Sequence, residues 1–204
     1  SCIYPKHAPQ PMKEEHLLTG PLEPTNDAYA IAKIAGILMT QAYNRQHGTN
    51  FIAAMPTNLY GPGDNFDLNT SHVLPAMVRK FVEAKDQKKA EVELWGTGSP
   101  RREFLFVDDL ADALVFLLEN FDATGERDNF VNVGVGEDIS IDALAALVRE
   151  VVGYEGKIAW NASMPDGTPR KLLDVTRLKS LGWKASTPLR AGIEKTVEAF
   201  RSKK

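Results

Sequence analysis

Apolar residues recur along this chain in two alternating periods. Residues 27–46 place Ile31, Ala35, Leu38 and Met39 on one side of a helix. Residues 73–84 read as a second amphipathic helix. Asp108 and Asp109 open a third, where acidic side chains suit the positive helix end. Ser140 caps a fourth, running to about residue 152. Thr187 and Pro188 open a last helix carrying Leu189, Ile193, Val197 and Phe200. Between these lie short strand patterns at 50–55 (stopped by Pro56), 91–95, 103–107, 130–133 and 157–160. Residues 1–5 are expected to end a buried strand, residues 6–26 to be irregular, and 58–63 and 96–100 to be loops. Strands alternating with helices predict an α/β fold with a largely parallel sheet.

Composition narrows this picture. The chain has 204 residues, 43% hydrophobic and 25% charged, which is ordinary for a globular protein. A net charge of -3 provides no broad basic field for nucleic acid, so an anionic ligand needs local Lys and Arg. Cys2 is the sole cysteine, which excludes an internal disulfide and is read as a reducing, cytoplasmic setting. No apolar run approaches membrane-spanning length. No metal is assigned.

Tyr29 and Lys33 sit one helical turn apart on the same face. A cation that close favours phenolate, which makes a proton donor and acceptor usable near neutral pH. Alone, Tyr-x-x-x-Lys equally describes a solvated helix pair. Gly134-Val135-Gly136 follows a strand and precedes a helix, but Ile139 stands where a dinucleotide fingerprint has its third glycine. It reads as an ordinary turn, and so does Gly96-x-Gly98.

Several runs together carry more weight. They are Ser1-Cys2-Ile3-Tyr4-Pro5, Asn26-Asp27-Ala28-Tyr29-Ala30-Ile31-Ala32-Lys33, Met55-Pro56-Thr57-Asn58-Leu59-Tyr60-Gly61-Pro62, Ser71-His72-Val73-Leu74-Pro75, Arg102-Glu103-Phe104-Leu105-Phe106-Val107-Asp108-Asp109 and Asp166-Gly167-Thr168-Pro169-Arg170-Lys171-Leu172-Leu173-Asp174. In this order and spacing the chain resembles the GDP-L-fucose synthase family of extended short-chain dehydrogenase/reductases, over nearly its whole length. The resemblance implies an NADPH-dependent 3,5-epimerase/4-reductase acting on GDP-4-keto-6-deoxy-D-mannose. It assigns acid–base exchange at C3 and C5 to Cys2 and His72. Tyr29, supported by Lys33, becomes the proton donor to the C4 oxyanion. Ser1, Tyr29, Lys33, Asn58, Leu59 and His72 fall at cofactor-contact positions. Lys80, Trp95, Arg102 and Asp166 fall at positions contacting the GDP-sugar. The packing alternatives stand beside these roles: Cys2 as a small buried hydrophobe, Lys80 as a solvated helix residue, and Trp95 as core.

The resemblance also implies an organisation. Residues 1–62 and 104–134 belong to an NADP-binding Rossmann part, a doubly wound parallel sheet. Residues 63–103 and 135–204 belong to a smaller α/β substrate-binding region. The family's glycine-rich first strand–turn–helix is absent, and about a hundred residues of the Rossmann half are expected to be missing. The superfamily's catalytic serine falls just ahead of Ser1. The parent enzyme is expected to be a homodimer through long helices, one of them bearing Tyr29. Two other readings remain open: a different nucleotide-sugar epimerase or reductase of the superfamily, and a non-catalytic GDP-sugar-binding fragment.

Overall fold

A computed structural model describes residues 1–124 and 129–202. Parallel pairing dominates it. Strand β1 (Ala53–Pro56) runs parallel to β6 (Phe130–Val133), and β2 (Asn58–Tyr60) runs parallel to β5 (Phe104–Phe106). Strand β3 (Glu91–Trp95) is parallel to β8 (Lys157–Asn161). Two-residue β4 (Arg101–Arg102) lies between antiparallel β7 (Ile139–Ser140) and parallel β9 (Arg170–Lys171). The helices are α1 (Asp27–His47), α2 (Val73–Asp86), α3 (Val107–Asn120), α4 (Ile141–Val152), α5 (Thr176–Ser180) and α6 (Leu189–Ser202).

The expected loop at 58–63 begins instead as a strand. Pro56 closes β1, but the chain stays extended and changes partner from β6 to β5. Thr57 is the pivot. Its amide donates to Val133 O at 3.0 Å, and its hydroxyl donates to Glu103 O at 3.3 Å. A buried backbone must place its polar groups somewhere, and here two neighbouring strands take them in turn.

Three apolar cores result. The largest joins α2, α4 and α6 with β3 and with Phe104 and Phe106 of β5. Leu105, on the opposite face of the same strand, packs with Ala113, Leu117, Val131 and Val133 instead. The two-residue alternation of a strand accounts for that division. The third core holds Ile3, Tyr4, Met12, Ala30, Ile34, Ile37, Met55 and Phe130. Each such Leu, Ile or Phe contributes on the order of 1.5–3 kcal/mol by leaving water.

Two expectations fail in this third core. Residues 1–5 form a turn, with the Tyr4 amide 3.4 Å from Ser1 O, although Ile3 and Tyr4 are buried. Helix α1 buries Ala30, Ile34 and Ile37, whereas Ile31, Leu38 and Met39 are exposed. The helix carries apolar residues on two sides, and tertiary packing selected the side facing residues 3–12 and β1. Buried Asn132 ties these segments together. Its side chain accepts from Tyr4 Oη at 2.6 Å and donates to Met12 O at 2.9 Å and Asp174 O at 3.0 Å. Burial pushes the Tyr4 phenol above its ordinary range, with Glu14 adding to the shift. It therefore stays a neutral donor.

Asp108 and Asp109 stand in the first turn of α3 as expected, and Asp109 has a further role. It is buried within α3 and accepts from the Thr187 amide and from the Ser186 and Thr187 hydroxyls, each at 2.9 Å. It anchors the turn before α6. Ser140 is the N-cap of α4 by position, without a side-chain capping bond. The α4 amides of Ile141 and Asp142 are taken by Pro100 O and Gly98 O, each at 2.9 Å.

Candidate active site

The start of the chain, α1, the β1–β2 pivot and the N-terminus of α2 surround one cleft of about 840 Å³. Helix α1 contributes Tyr29 and Lys33 from one face. Asn58 and Leu59 come from β2, Cys2 from the opening turn, and His72 from the N-cap position of α2. Ser1 lines the same cleft, so every sequence-predicted catalytic and cofactor-contact residue is on its wall. Residues far apart in sequence meet because Asn132 and the third core hold residues 1–12 against α1 and β6.

Lys33 Nζ lies over the Tyr29 ring, 5.5 Å from its centroid. Tyr29 is 58% exposed and lines the cleft. The Asn58 side chain is aimed from behind by Glu103, whose carbonyl accepts from Asn58 Nδ2 at 2.7 Å. Asn58 Oδ1 then points away from that bond. Asp64 is a lining carboxylate that sequence reasoning did not single out. Lys171, also missed, has its Nζ 3.9 Å from Cys2 Sγ. No local pattern connects those two residues, which are 169 positions apart.

The four positions expected to contact the GDP-sugar do not line this cleft. Lys80 Nζ lies 5.8 Å from the Trp95 ring centroid and donates to Glu93 O at 3.0 Å. Trp95 is 60% exposed, which rules out the core reading for it. Partial burial lowers the Lys80 pKa, and Glu93 opposes the shift. Arg102 lines a separate hollow of about 500 Å³ with Phe104, Glu137 and Thr187. Its pKa is also lowered by burial, against the opposing charge of Asp166. Asp166 accepts from the Thr97 amide at 2.7 Å and the Thr97 hydroxyl at 2.8 Å. Those bonds hold its carboxyl below the usual carboxylate range.

The Gly134-Val135-Gly136 and Gly96-Thr97-Gly98 turns are occupied by the protein's own carboxylates. Glu103 is fully buried; Oε1 accepts from the Val135 and Gly136 amides at 2.7 Å, and Oε2 accepts from Leu173 N at 3.0 Å. Burial pushes its pKa up, and the three amides pull the other way. A Cβ at Gly134 would lie 2.3 Å from Glu103 Oε1, and one at Gly96 would lie 2.3 Å from Asp166 Oδ1. These turns therefore cradle an internal anion and leave no room for a phosphate.

A parallel α/β fold with a Tyr-x-x-x-Lys helix on the wall of a cleft is the arrangement of an extended short-chain dehydrogenase/reductase. The chain belongs to the NAD dependent epimerase/dehydratase family, whose pattern matches residues 1–134. It is 59% identical over 200 residues to the probable GDP-L-fucose synthase 1 of Oryza sativa subsp. japonica, covering 98% of this chain and 60% of that protein. A solved GDP-6-OMe-4-keto-L-xylo-heptose reductase from C. jejuni superposes with a TM-score of 0.91 at 37% identity, covering 100% of this chain and 68% of that one. A GDP-L-fucose synthetase from Naegleria fowleri, solved bound to NADP, superposes at 0.90 with 29% identity, covering 98% and 61%. The chain thus spans about 60% of the length of the first curated relative. Among the described residues, no helix is long and apolar enough to cross a membrane.

Proposed function

We propose that this chain carries the proton-transfer face of an NADPH-dependent GDP-4-keto-6-deoxy-D-mannose 3,5-epimerase/4-reductase. The observation that carries the reading is the convergence of Cys2, His72, Tyr29 and Lys33 on one cleft. The C4 ketone acidifies the C3 and C5 protons. Inversion then needs one group to remove a proton and another to return it from the opposite face. Cys2 and His72 are side-chain types that titrate near neutrality and suit those two roles. Tyr29 protonates the C4 oxygen, with the Lys33 ammonium over its ring.

The cleft's polar wall suits a nicotinamide and its ribose. Lys33 offers an ammonium, Asn58 offers a carbonyl oxygen fixed by Glu103, and Ser1, Leu59 and His72 complete the contact. When bound, NADPH supplies the hydride to C4. Lys80, Arg102 and Trp95 take the diphosphate and base in this reading. Asp166 acts there by shaping the Thr97 loop. The exposed side of α1, with Ile31, Leu38 and Met39, receives a second copy.

Solvent deuterium tests the reading without cofactor. The chain is incubated with GDP-4-keto-6-deoxy-D-mannose in D2O, and the sugar is analysed by mass spectrometry and NMR. Uptake at C3 and C5 is expected, with C2A and H72A each abolishing inversion and the variant that lacks the base also abolishing exchange. A folded chain that leaves both carbons protiated removes the epimerase role. The likeness to a GDP-linked keto-heptose reductase motivates a second reading, reduction at C4 without epimerisation. That reading predicts no deuterium uptake and saturable binding of GDP-L-fucose, with UDP-glucose as the control.

A further inference from the structure

Cys2 lines the cleft and is partly accessible. Its sulfur lies 3.9 Å from the Lys171 ammonium. Lys171 is the second residue of β9, and it is held there from both sides. Its strand pairs in register with β4, Arg102 opposite Lys171. Two residues on, the Leu173 amide is clamped by the buried Glu103 carboxylate. Between them, the Leu172 amide donates to Gln10 Oε1 at 2.9 Å and the Met12 amide donates to Leu172 O at 2.8 Å. The segment bearing Cys2 and the segment bearing Lys171 are therefore stitched together independently of the two side chains.

We propose that Lys171 is a positioning residue for proton transfer at Cys2, supplying the counter-charge to its sulfur. The inference rests on the role proposed above for Cys2. A cysteine exchanging a proton with a substrate carbon carries a full negative charge on sulfur whenever that proton is on the carbon. In a partly buried cleft a negative sulfur needs a cation beside it. Lys33 is placed over the Tyr29 ring, and Lys171 is the ammonium recorded at the sulfur. The division of labour follows: one lysine serves the phenol and the other serves the thiol. At 3.9 Å the contact is long for a hydrogen bond, so the effect is chiefly electrostatic.

Cys2 is the sole cysteine of the chain, which makes thiol alkylation a direct readout. Iodoacetamide forms an S–C bond with the thiolate and releases iodide. The chain is treated at pH 7.5, and modification of Cys2 is followed by mass spectrometry. K171M is expected to react roughly three- to tenfold more slowly than wild type. K171R, which keeps the charge, is expected to retain most of the rate. Raising the salt concentration is expected to narrow the gap between wild type and K171M, because salt screens a charge effect and not a packing effect. Equal rates for wild type and K171M, or a gap that salt leaves unchanged, would overturn the proposal. The readout needs neither GDP-sugar nor NADPH. Failure of deuterium exchange would remove the proton-transfer role but not the charge effect of Lys171 on the thiol, and failure of the alkylation test would remove that charge effect while leaving deuterium exchange to be judged separately.

Discussion

Gly134–Gly136 and Gly96–Gly98 share a spacing and a carboxylate as occupant, but they sit at different depths. Glu103 fills the first turn inside the protein, where three amides are its solvent. Asp166 fills the second at the surface, where water competes for the same bonds. The same Gly-x-Gly pattern can therefore be a structural clamp or a loop brace, and burial sets which. Depth also sets the expected cost of disturbing each one.

Removing the buried occupant should cost most. E103A strands the amides of Val135, Gly136 and Leu173 in the interior, and each unsatisfied buried group costs about 1–3 kcal/mol. A loss of roughly 3 kcal/mol or more is expected by chemical denaturation. A change below about 1 kcal/mol would mean that water replaces the carboxylate. G134A keeps the carboxylate but drives a methyl group towards it, so roughly 1–3 kcal/mol is expected from overpacking.

Asp138 offers an intermediate case, since its buried carboxylate accepts from the half-exposed Arg101 and Arg170. Burial by itself would raise its pKa. The hydrogen bonds from Arg170 and Arg101 outweigh burial and hold the carboxyl below the usual range. Its stabilisation is thus present above about pH 4 and lost as the pH falls through the folded value. D138N should cost about 1 kcal/mol at pH 7, and its melting curve should converge on wild type under acid. A gap that persists at pH 2 would show that the effect is not ionic.

D166A should have the smallest effect. Global melting is expected to stay close to wild type, while amide exchange at Thr97 accelerates. A cooperative loss of stability in D166A would erase the distinction between the two turns.

Much of the fold was legible because its signals are local. The spans of β3 and β6 follow from alternating or continuous apolar runs, and α2, α4 and α6 follow from helical periodicity. The spacing of Tyr29 and Lys33 places both on one side of α1 whatever surrounds it. The failures share one cause. Ile31, Leu38 and Met39 looked as suitable for burial as Ala30, Ile34 and Ile37, and only the segments packed on α1 chose between them. Residues 58–60 read as a turn because Pro56 and Gly61 bracket them, yet β5 offered partners for their backbone. Lys171 lies in one of the runs that carry the family likeness, but no local pattern pairs it with Cys2.

The sequence by itself determined the elements, the α/β class and the phenol–ammonium pair, because propensity and periodicity act over a few residues. It also carried the family likeness, in runs whose order survives without coordinates. The tertiary structure decided which face of α1 is buried, what fills the two glycine turns, and which lysine stands at Cys2. Those outcomes depend on contacts between residues 32 to 169 positions apart, where chain connectivity imposes no distance and packing does.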